Sequence, residues 1–157
     1  MVQLASATFL SDAILFVRDR LIVGIGDPLS GGLRPAGEKF FMTEFPQRPV
    51  THPFVIIRDG GLADIQRLGM QSEGIHTSIN IEIHIHAKNV VQRDELTQEI
   101  YQYMRTNQFG IPSSDDNSVQ FGLHDLALVN MTNIPNVPGD GGIRRKVLEY
   151  KFSLILV

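Results

Sequence analysis

The sequence predicts an α+β fold: a mainly antiparallel sheet, two helices packed on one face of it, and a long Pro/Gly-rich arm or hairpin. Three observations support this prediction. Several stretches alternate apolar and polar residues with the period of a strand, two stretches have the period of a helix, and the strand and helix patterns do not alternate along the chain. A parallel βαβ arrangement would require that alternation. With 157 residues, the chain fits a single domain over residues 1–157.

The first helix is predicted over Leu10–Leu21, where apolar residues recur with the spacing of one helical face. The glycines that begin at Gly24 are suited to end it. The segment Gly24–Pro53 contains five glycines and five prolines, which is too many for a helix. Within it we expect a short strand over Lys39–Phe45, and we expect the segment to form an arm or extended hairpin that reaches a neighbouring molecule.

Strands are predicted in the middle of the chain. A buried strand runs over Phe54–Arg58 and ends at the glycine pair 60–61, and a strand is also the better interpretation of Ala63–Gln71. Over Ile75–Ala87, isoleucine, threonine and alanine alternate with histidine, serine, asparagine and glutamate. This alternation predicts a long strand with one dry face and one wet, polar face.

The last third of the chain predicts one helix and two strands. A helix over Asp94–Asn107 has an apolar side, which we expect to pack on the isoleucine face of the long strand. A strand is expected over Gln120–Met131. From Leu148 to Leu156, apolar residues occupy every other position. A C-terminal strand this apolar is expected to lie inside the sheet.

The composition excludes several classes of function. The formal net charge of −3 is not the basic footprint of a nucleic-acid-binding protein. The chain has no cysteine, which excludes disulfides, thiolate zinc sites and cysteine nucleophiles. No apolar run reaches the roughly 20 residues of a membrane span, and the first residues lack the basic start of a signal peptide. We therefore expect a soluble chain, intracellular at synthesis, without a membrane partner.

The stretch NIEIHIHAK places Glu82, His84 and His86 on one face of the long strand. Residues two apart on a strand lie about 7 Å apart, so the histidines are close enough to share a metal. However, three successive residues on one face are nearly collinear, whereas metal ligands converge from different directions. We therefore expect a solvent-facing or interface surface without a metal. A small metal-dependent enzyme that uses these three side chains is the alternative.

No other set of residues predicts catalysis. The glycines of GIGDPL lack the third glycine of a dinucleotide-binding fingerprint and follow a helix instead of a strand. No G-x-S-x-G elbow is present, and no nucleophile, base and acid can be assigned together. The sequence therefore predicts a protein that is not an enzyme, with no catalytic residue and no cofactor.

Four runs of the sequence resemble tail terminator or tail-completion proteins of tailed viruses. These runs are PFVIIRDGG, HTSINIEIHIHAK, VQRDELTQEIYQYMRTNQ and RRKVLEYKFSLILV, in a layout that covers nearly the whole chain. The resemblance implies a structural virion protein located in the tail or neck, and in the host cytoplasm during assembly. It also implies a homo-oligomeric ring, typically a hexamer, that caps the tail tube and joins the tail to the head.

The partners implied by this resemblance are further copies of the chain, the tail-tube protein, and the head-connector or neck proteins. Genome DNA would pass through such a ring without sequence-specific binding. Besides the metal-dependent enzyme, a small cytosolic binding adaptor remains an alternative. An adaptor would be monomeric or dimeric, whereas a terminator forms closed rings.

Three phenylalanines in the Pro/Gly-rich segment are candidate subunit-interface residues: Phe40, Phe41 and Phe45. Aromatic side chains on an arm are best explained by burial against a partner. In a ring, the partner is the next subunit, through a head-to-tail contact. The alternative is that these side chains complete the chain's own core.

Overall fold

The computed structural model describes residues 9–67, 75–106, 123–135 and 144–156. In these ranges the chain forms two helices and five strands. They are α1 (Phe9–Gly24), β1 (Phe41–Met42), β2 (Phe54–Arg67), β3 (Ile75–Ala87), α2 (Val90–Thr106), β4 (Leu123–Ile134) and β5 (Arg144–Leu156). Residues 68–71, 107 and 120–122, which belong to predicted elements, lie outside the described residues.

The strands form one sheet in the order β1-β2-β3-β5-β4. The pairs β2–β3, β3–β5 and β5–β4 are antiparallel, and the short β1 is parallel to β2. The predicted α+β class and the mainly antiparallel sheet are therefore confirmed. The C-terminal strand β5 lies between β3 and β4, inside the sheet, as its apolar alternation predicted.

The centre of the sheet is regular and its flanks are bulged. All 13 residues of β3 pair one to one with β5. By contrast, β2 has two register shifts against β3, the first between Asp59 and Gly61. The prediction that the glycine pair ends this strand was wrong, because the pair forms a bulge and β2 continues to Arg67. Gly61 has φ +96°, a left-handed conformation that glycine adopts without strain.

The helix α2 begins at Val90, about one turn before the predicted start at Asp94. The reason is the cap supplied by Asn89, whose side-chain Oδ1 accepts a hydrogen bond from the Gln92 N–H at 2.8 Å. The Gln92 side chain in turn accepts a hydrogen bond from the Lys88 N–H at 3.1 Å. The first bond satisfies a backbone donor that the first helical turn leaves unpaired, and the second ties the residue before the cap to the helix.

The main core lies between the two helices and one face of the sheet. The isoleucine face of β3 is buried there, and each of Ile81, Ile83 and Ile85 is at most 1% exposed. This confirms that the isoleucine face packs under α2 and that both helices share one side of the sheet. The helices contribute Ala13, Val17, Leu21, Leu96, Ile100 and Met104 to this core.

The Pro/Gly-rich segment is folded around Arg34, whose side chain is 7% exposed. The Arg34 guanidinium makes two hydrogen bonds with the Asp27 carboxylate, at 2.7 and 2.8 Å. It also donates to the carbonyl oxygens of Thr51 at 2.9 Å and Pro53 at 2.7 Å. Arg34 thus ties the start of the segment to its end. The guanidinium, with burial opposing it, holds the pKa of Asp27 below its usual value.

Only two residues of the segment, Phe41 and Met42, form a strand, so the predicted strand over Lys39–Phe45 was too long. They pair with Val55 and Ile56 at the start of β2. Elsewhere in the segment, turns and side-chain bonds replace strand pairing. Among the helices described, none is long and apolar enough to cross a membrane.

Candidate functional site

The face of the sheet opposite the helices carries the polar side chains of β3. The backbone register aligns each of them with a residue of β2 on one side and of β5 on the other. His86 lies between Phe54 and Arg145, His84 between Ile56 and Val147, and Glu82 between Arg58 and Glu149. This surface, called the polar face below, brings together the three residues that the sequence singled out.

Two phenylalanines cover the histidines of the polar face. The Phe54 ring stacks on the His86 ring at a centroid distance of 4.5 Å. The Phe45 ring meets the edges of His84 and His86 at 5.4 and 6.3 Å. The Arg58 guanidinium lies 4.7 Å from the centre of the Phe45 ring. The loop before β2 therefore lies over this part of the sheet.

The prediction of a wet face was wrong at this end of the strand. His86 is only 9% exposed, and Ser78, at the other end of the described part of this face, is 5% exposed. Between them, His84 and Glu82 are half-buried. The physical reason at His86 is the aromatic cover, which comes from a distant part of the sequence.

Glu82 and His84 are partners of each other. The His84 Nε2 atom lies 2.9 Å from the Glu82 Oε2 atom. His86, two residues further along, instead stacks on an aromatic ring. Among the residues described, no group of three or more histidine and acidic side chains is placed to hold a metal ion. The arrangement is one of side-chain packing and one hydrogen bond.

His86 is held in its neutral form. Burial lowers its pKa to about 4, and the positive charge of Arg145 and the neighbouring His84 and His52 act in the same direction. Burial also lowers the pKa of His52, with Lys88 and Arg145 contributing. At the covered end of the polar face, burial and nearby positive charge thus disfavour protonation of His86 and His52. A neutral imidazole stacked on a phenyl ring serves packing there.

The three candidate interface phenylalanines occupy different environments. Phe40 and Phe41 are 6% and 5% exposed and belong to the chain's own core, with their rings in an edge contact at 4.6 Å. This location agrees with the alternative that they complete the core. Phe45 is 46% exposed. It is therefore the member of the set whose ring is accessible to a second molecule.

Sequence reasoning missed a second exposed surface, the edge strand β4. All of its described side chains over residues 127–133 are exposed. They include Leu128, Val129 and Met131, which are 36%, 59% and 41% exposed. A signal was present, because the stretch from Ala127 to Ile134 carries no charged residue. The strand pattern alone does not tell an edge strand from a central one.

The fold is similar to that of a chain in the virion of a native gene transfer agent (GTA) particle, with a TM-score of 0.58 and 10% sequence identity. The match covers 94% of this chain and 98% of that chain. No protein-family model matches the sequence, and no curated protein matches it. The two chains thus share a fold over nearly their whole length, with very different sequences.

Proposed function

We propose that this chain is a structural virion protein, and specifically a tail terminator or tail-completion protein. Its ring caps the tail tube and joins the tail to the head or neck. The observation that carries the proposal is the fold shared with a chain of a gene transfer agent virion, over 94% of one chain and 98% of the other. The tail position is supported by the four sequence runs that resemble tail terminator and tail-completion proteins.

The geometry of the polar face favours a structural role over catalysis. Glu82 and His84 bond to each other, and His86 is covered by aromatic rings and neutral. A general base or a metal ligand needs access to substrate or ion. Of these three side chains, that of His86 is only 9% exposed, and burial lowers its pKa. The side chains that the metal-dependent alternative requires are engaged in packing.

The partners in this proposal are other copies of the chain, which form a hexameric ring, together with tail-tube and neck proteins. Genome DNA passes through the ring without sequence-specific contacts, which suits a chain of net charge −3. The protein is located in the tail or neck of the virion, and in the host cytoplasm during assembly. Ring closure requires a heterologous contact, in which two different surfaces of the chain meet.

The test is to locate the chain in particles and to measure its assembly. Purified protein is examined by native mass spectrometry and negative-stain electron microscopy, and particles are labelled with antibody against the chain. We expect closed rings, and label at the junction of tail and head. Label on the capsid surface, or particles without label, would contradict the proposed position. A strictly monomeric or dimeric protein would favour the adaptor, and stoichiometric zinc or iron in untagged protein would favour the enzyme.

A further inference from the structure

The outer edge of β4 has no partner strand among the described residues, where β4 pairs only with β5. An unpaired edge presents a row of backbone N–H and C=O groups that another strand can satisfy. The side chains beside this edge do not obstruct such pairing. Leu128, Val129 and Met131 are exposed apolar residues, and the described part of β4 from Ala127 onward has no charge.

Soluble proteins usually protect an edge of this kind with charged side chains, proline, a β-bulge or a covering element. Between Ala127 and Ile134 no charged residue and no proline occurs, and the one register shift lies between Leu128 and Asn130. The described side chains are open to solvent as far as Asn133. The first proline after this stretch is Pro135, which follows the strand. The edge is therefore suited to pairing with a strand. From Ala127 to Ile134, β4 has no charged side chain that would oppose a partner strand, and pairing there depends on backbone geometry.

The same sheet has a second open edge on its opposite side. The two-residue β1 pairs only with Val55 and Ile56 of β2. From Arg58 to Arg67, β2 has no strand on its outer side among the described residues. This open part has 10 of the 14 residues of β2 and is comparable to the 12 residues of β4. Each of the two strands also has two register shifts, so both edges have added twist.

The strand directions fit these two edges to each other. The four long strands alternate in direction in the order β2, β3, β5 and β4, so β4 runs antiparallel to β2. A second copy added head to tail beside β4 presents its β2 in the direction that continues the alternation. Every new pair is then antiparallel, which is the geometry of the rest of the sheet.

We propose that β4 of one copy pairs with the open edge of β2, Arg58–Arg67, in a second copy of this chain. This contact is heterologous and deepens the proposed ring, on which it rests. Arg58 begins the open edge and also lies over the exposed ring of Phe45. The aromatic candidate and the open part of β2 are therefore on the same side of the molecule, opposite β4.

Cysteine cross-linking tests the contact directly, because the native chain has no cysteine. Val129→Cys and Asp59→Cys are each introduced alone, at exposed positions of the two edges. The two proteins are mixed and treated with a short bismaleimide. We expect cross-linked dimers in the mixture and none with either variant alone. The double variant should form a ladder of covalent oligomers that ends at the size of the ring.

Each outcome decides a separate point. Cross-linking of Val129→Cys with itself would indicate β4–β4 pairing about a two-fold axis and overturn the proposal. Rings without a Val129–Asp59 cross-link would overturn this contact and leave the proposed function standing. Protein that forms no oligomer would overturn both the contact and the ring.

A charged substitution at the edge gives a second test, with a matched control. Val129→Lys places a charge beside the unpaired edge, as natural proteins do to prevent pairing. Val91 on α2 is 65% exposed against 59% for Val129, so Val91→Lys adds the same charge at a similarly exposed site. We expect Val129→Lys to weaken ring assembly about tenfold or more, equivalent to roughly 1.4 kcal/mol. Equal assembly of the two folded variants would contradict a role for β4.

Discussion

The two faces of β3 are buried by different means. One face presents isoleucines to a layer made of α1 and α2, and from Ile79 to Ile85 these side chains are at most 1% exposed. On the other face, His84 and His86 are covered by the ring of Phe45, from the loop before β2, and by the ring of Phe54, the first residue of β2. One cover consists of regular helices that pack along their length. The other depends on two aromatic side chains, one of which, Phe45, lies in the segment that Arg34 holds together.

Because of this difference, the isoleucine face contributes mainly to the stability of the fold, whereas the polar face keeps a surface that is accessible to another molecule. The isoleucine face removes apolar surface from water and gains about 25 cal/mol for each Å² buried. The polar face buries histidines and leaves Phe45 46% exposed, so it gains less and keeps a surface that another molecule can contact. Substitutions on the isoleucine face should therefore affect folding first. Substitutions on the polar face should affect the loop and assembly.

The largest effect is expected at the isoleucine face. Ile83 is 0% exposed, and Ile83→Ala should lower the free energy of unfolding by about 2–5 kcal/mol through lost burial and a cavity. The control is Glu82→Ala, one residue away on the polar face. It removes only a partly exposed hydrogen bond with His84 and should cost less than about 1 kcal/mol. Urea titrations measure both values, and equal losses would show that the two faces do not differ.

The next effect concerns the anchor of the loop. Arg34→Ala removes the ion pair with Asp27 and leaves the carbonyl oxygens of Thr51 and Pro53 without this donor. We expect a loss of about 2–3 kcal/mol, below that of a fully buried pair because the Asp27 side chain is 25% exposed.

Arg34→Lys is the informative companion to Arg34→Ala. It keeps the charge but not the planar fork that reaches three partners, so most of the loss should remain. Hydrogen exchange in both variants should increase in the loop before β2 and leave α2 unchanged. Native-like protection of the loop in Arg34→Ala would show that other contacts hold the cover.

The sequence predicted the regular half of this comparison well. The bounds of β3 were correct because its period-2 alternation is uninterrupted. Its dry face was correct for the isoleucines whose side chains the structure describes, Ile79, Ile81, Ile83 and Ile85. The prediction failed where the same short sequence pattern is compatible with two local structures. The glycine pair 60–61 is compatible with a turn or with a bulge. The choice depends on pairing with β3, which lies elsewhere in the chain.

The cover of the polar face was beyond sequence reasoning for a related reason. Alternation identifies the side of a strand on which a histidine lies, but not what packs over that side. Phe40, Phe41 and Phe45 are close in sequence and similar in chemistry. Two are in the core and the third lies over the histidines, because the chain turns between them. Similarly, the apolar pattern of β4 predicted a strand but not its position at the sheet edge.

A smaller effect is expected from acidification, which acts on the covered face. Burial and Arg145 lower the pKa of His86 from 6.5 to about 4 in the folded chain. Between these values the unfolded chain binds more protons, so stability is complete above pH 6.5 and falls as the pH decreases towards 4. We expect a loss of about 1–2 kcal/mol between pH 7 and pH 5. His86→Gln does not titrate and should reduce this slope, whereas an unchanged slope would assign it to other groups.

The smallest effect on stability, and the sharpest on assembly, is expected at Phe45. Its half-exposed ring contacts two histidines and Arg58, so Phe45→Ser should cost about 1 kcal/mol or less. If the ring also contacts the next subunit, this folded variant should form fewer rings by light scattering. Leu33→Ser is the control, since Leu33 lies in the same segment and is 70% exposed. A general effect of lost apolar surface would weaken assembly in both variants, whereas an interface at Phe45 weakens it in one. Normal rings in Phe45→Ser would show that the Phe45 ring is not part of the subunit contact, which β4 and β2 would then form alone.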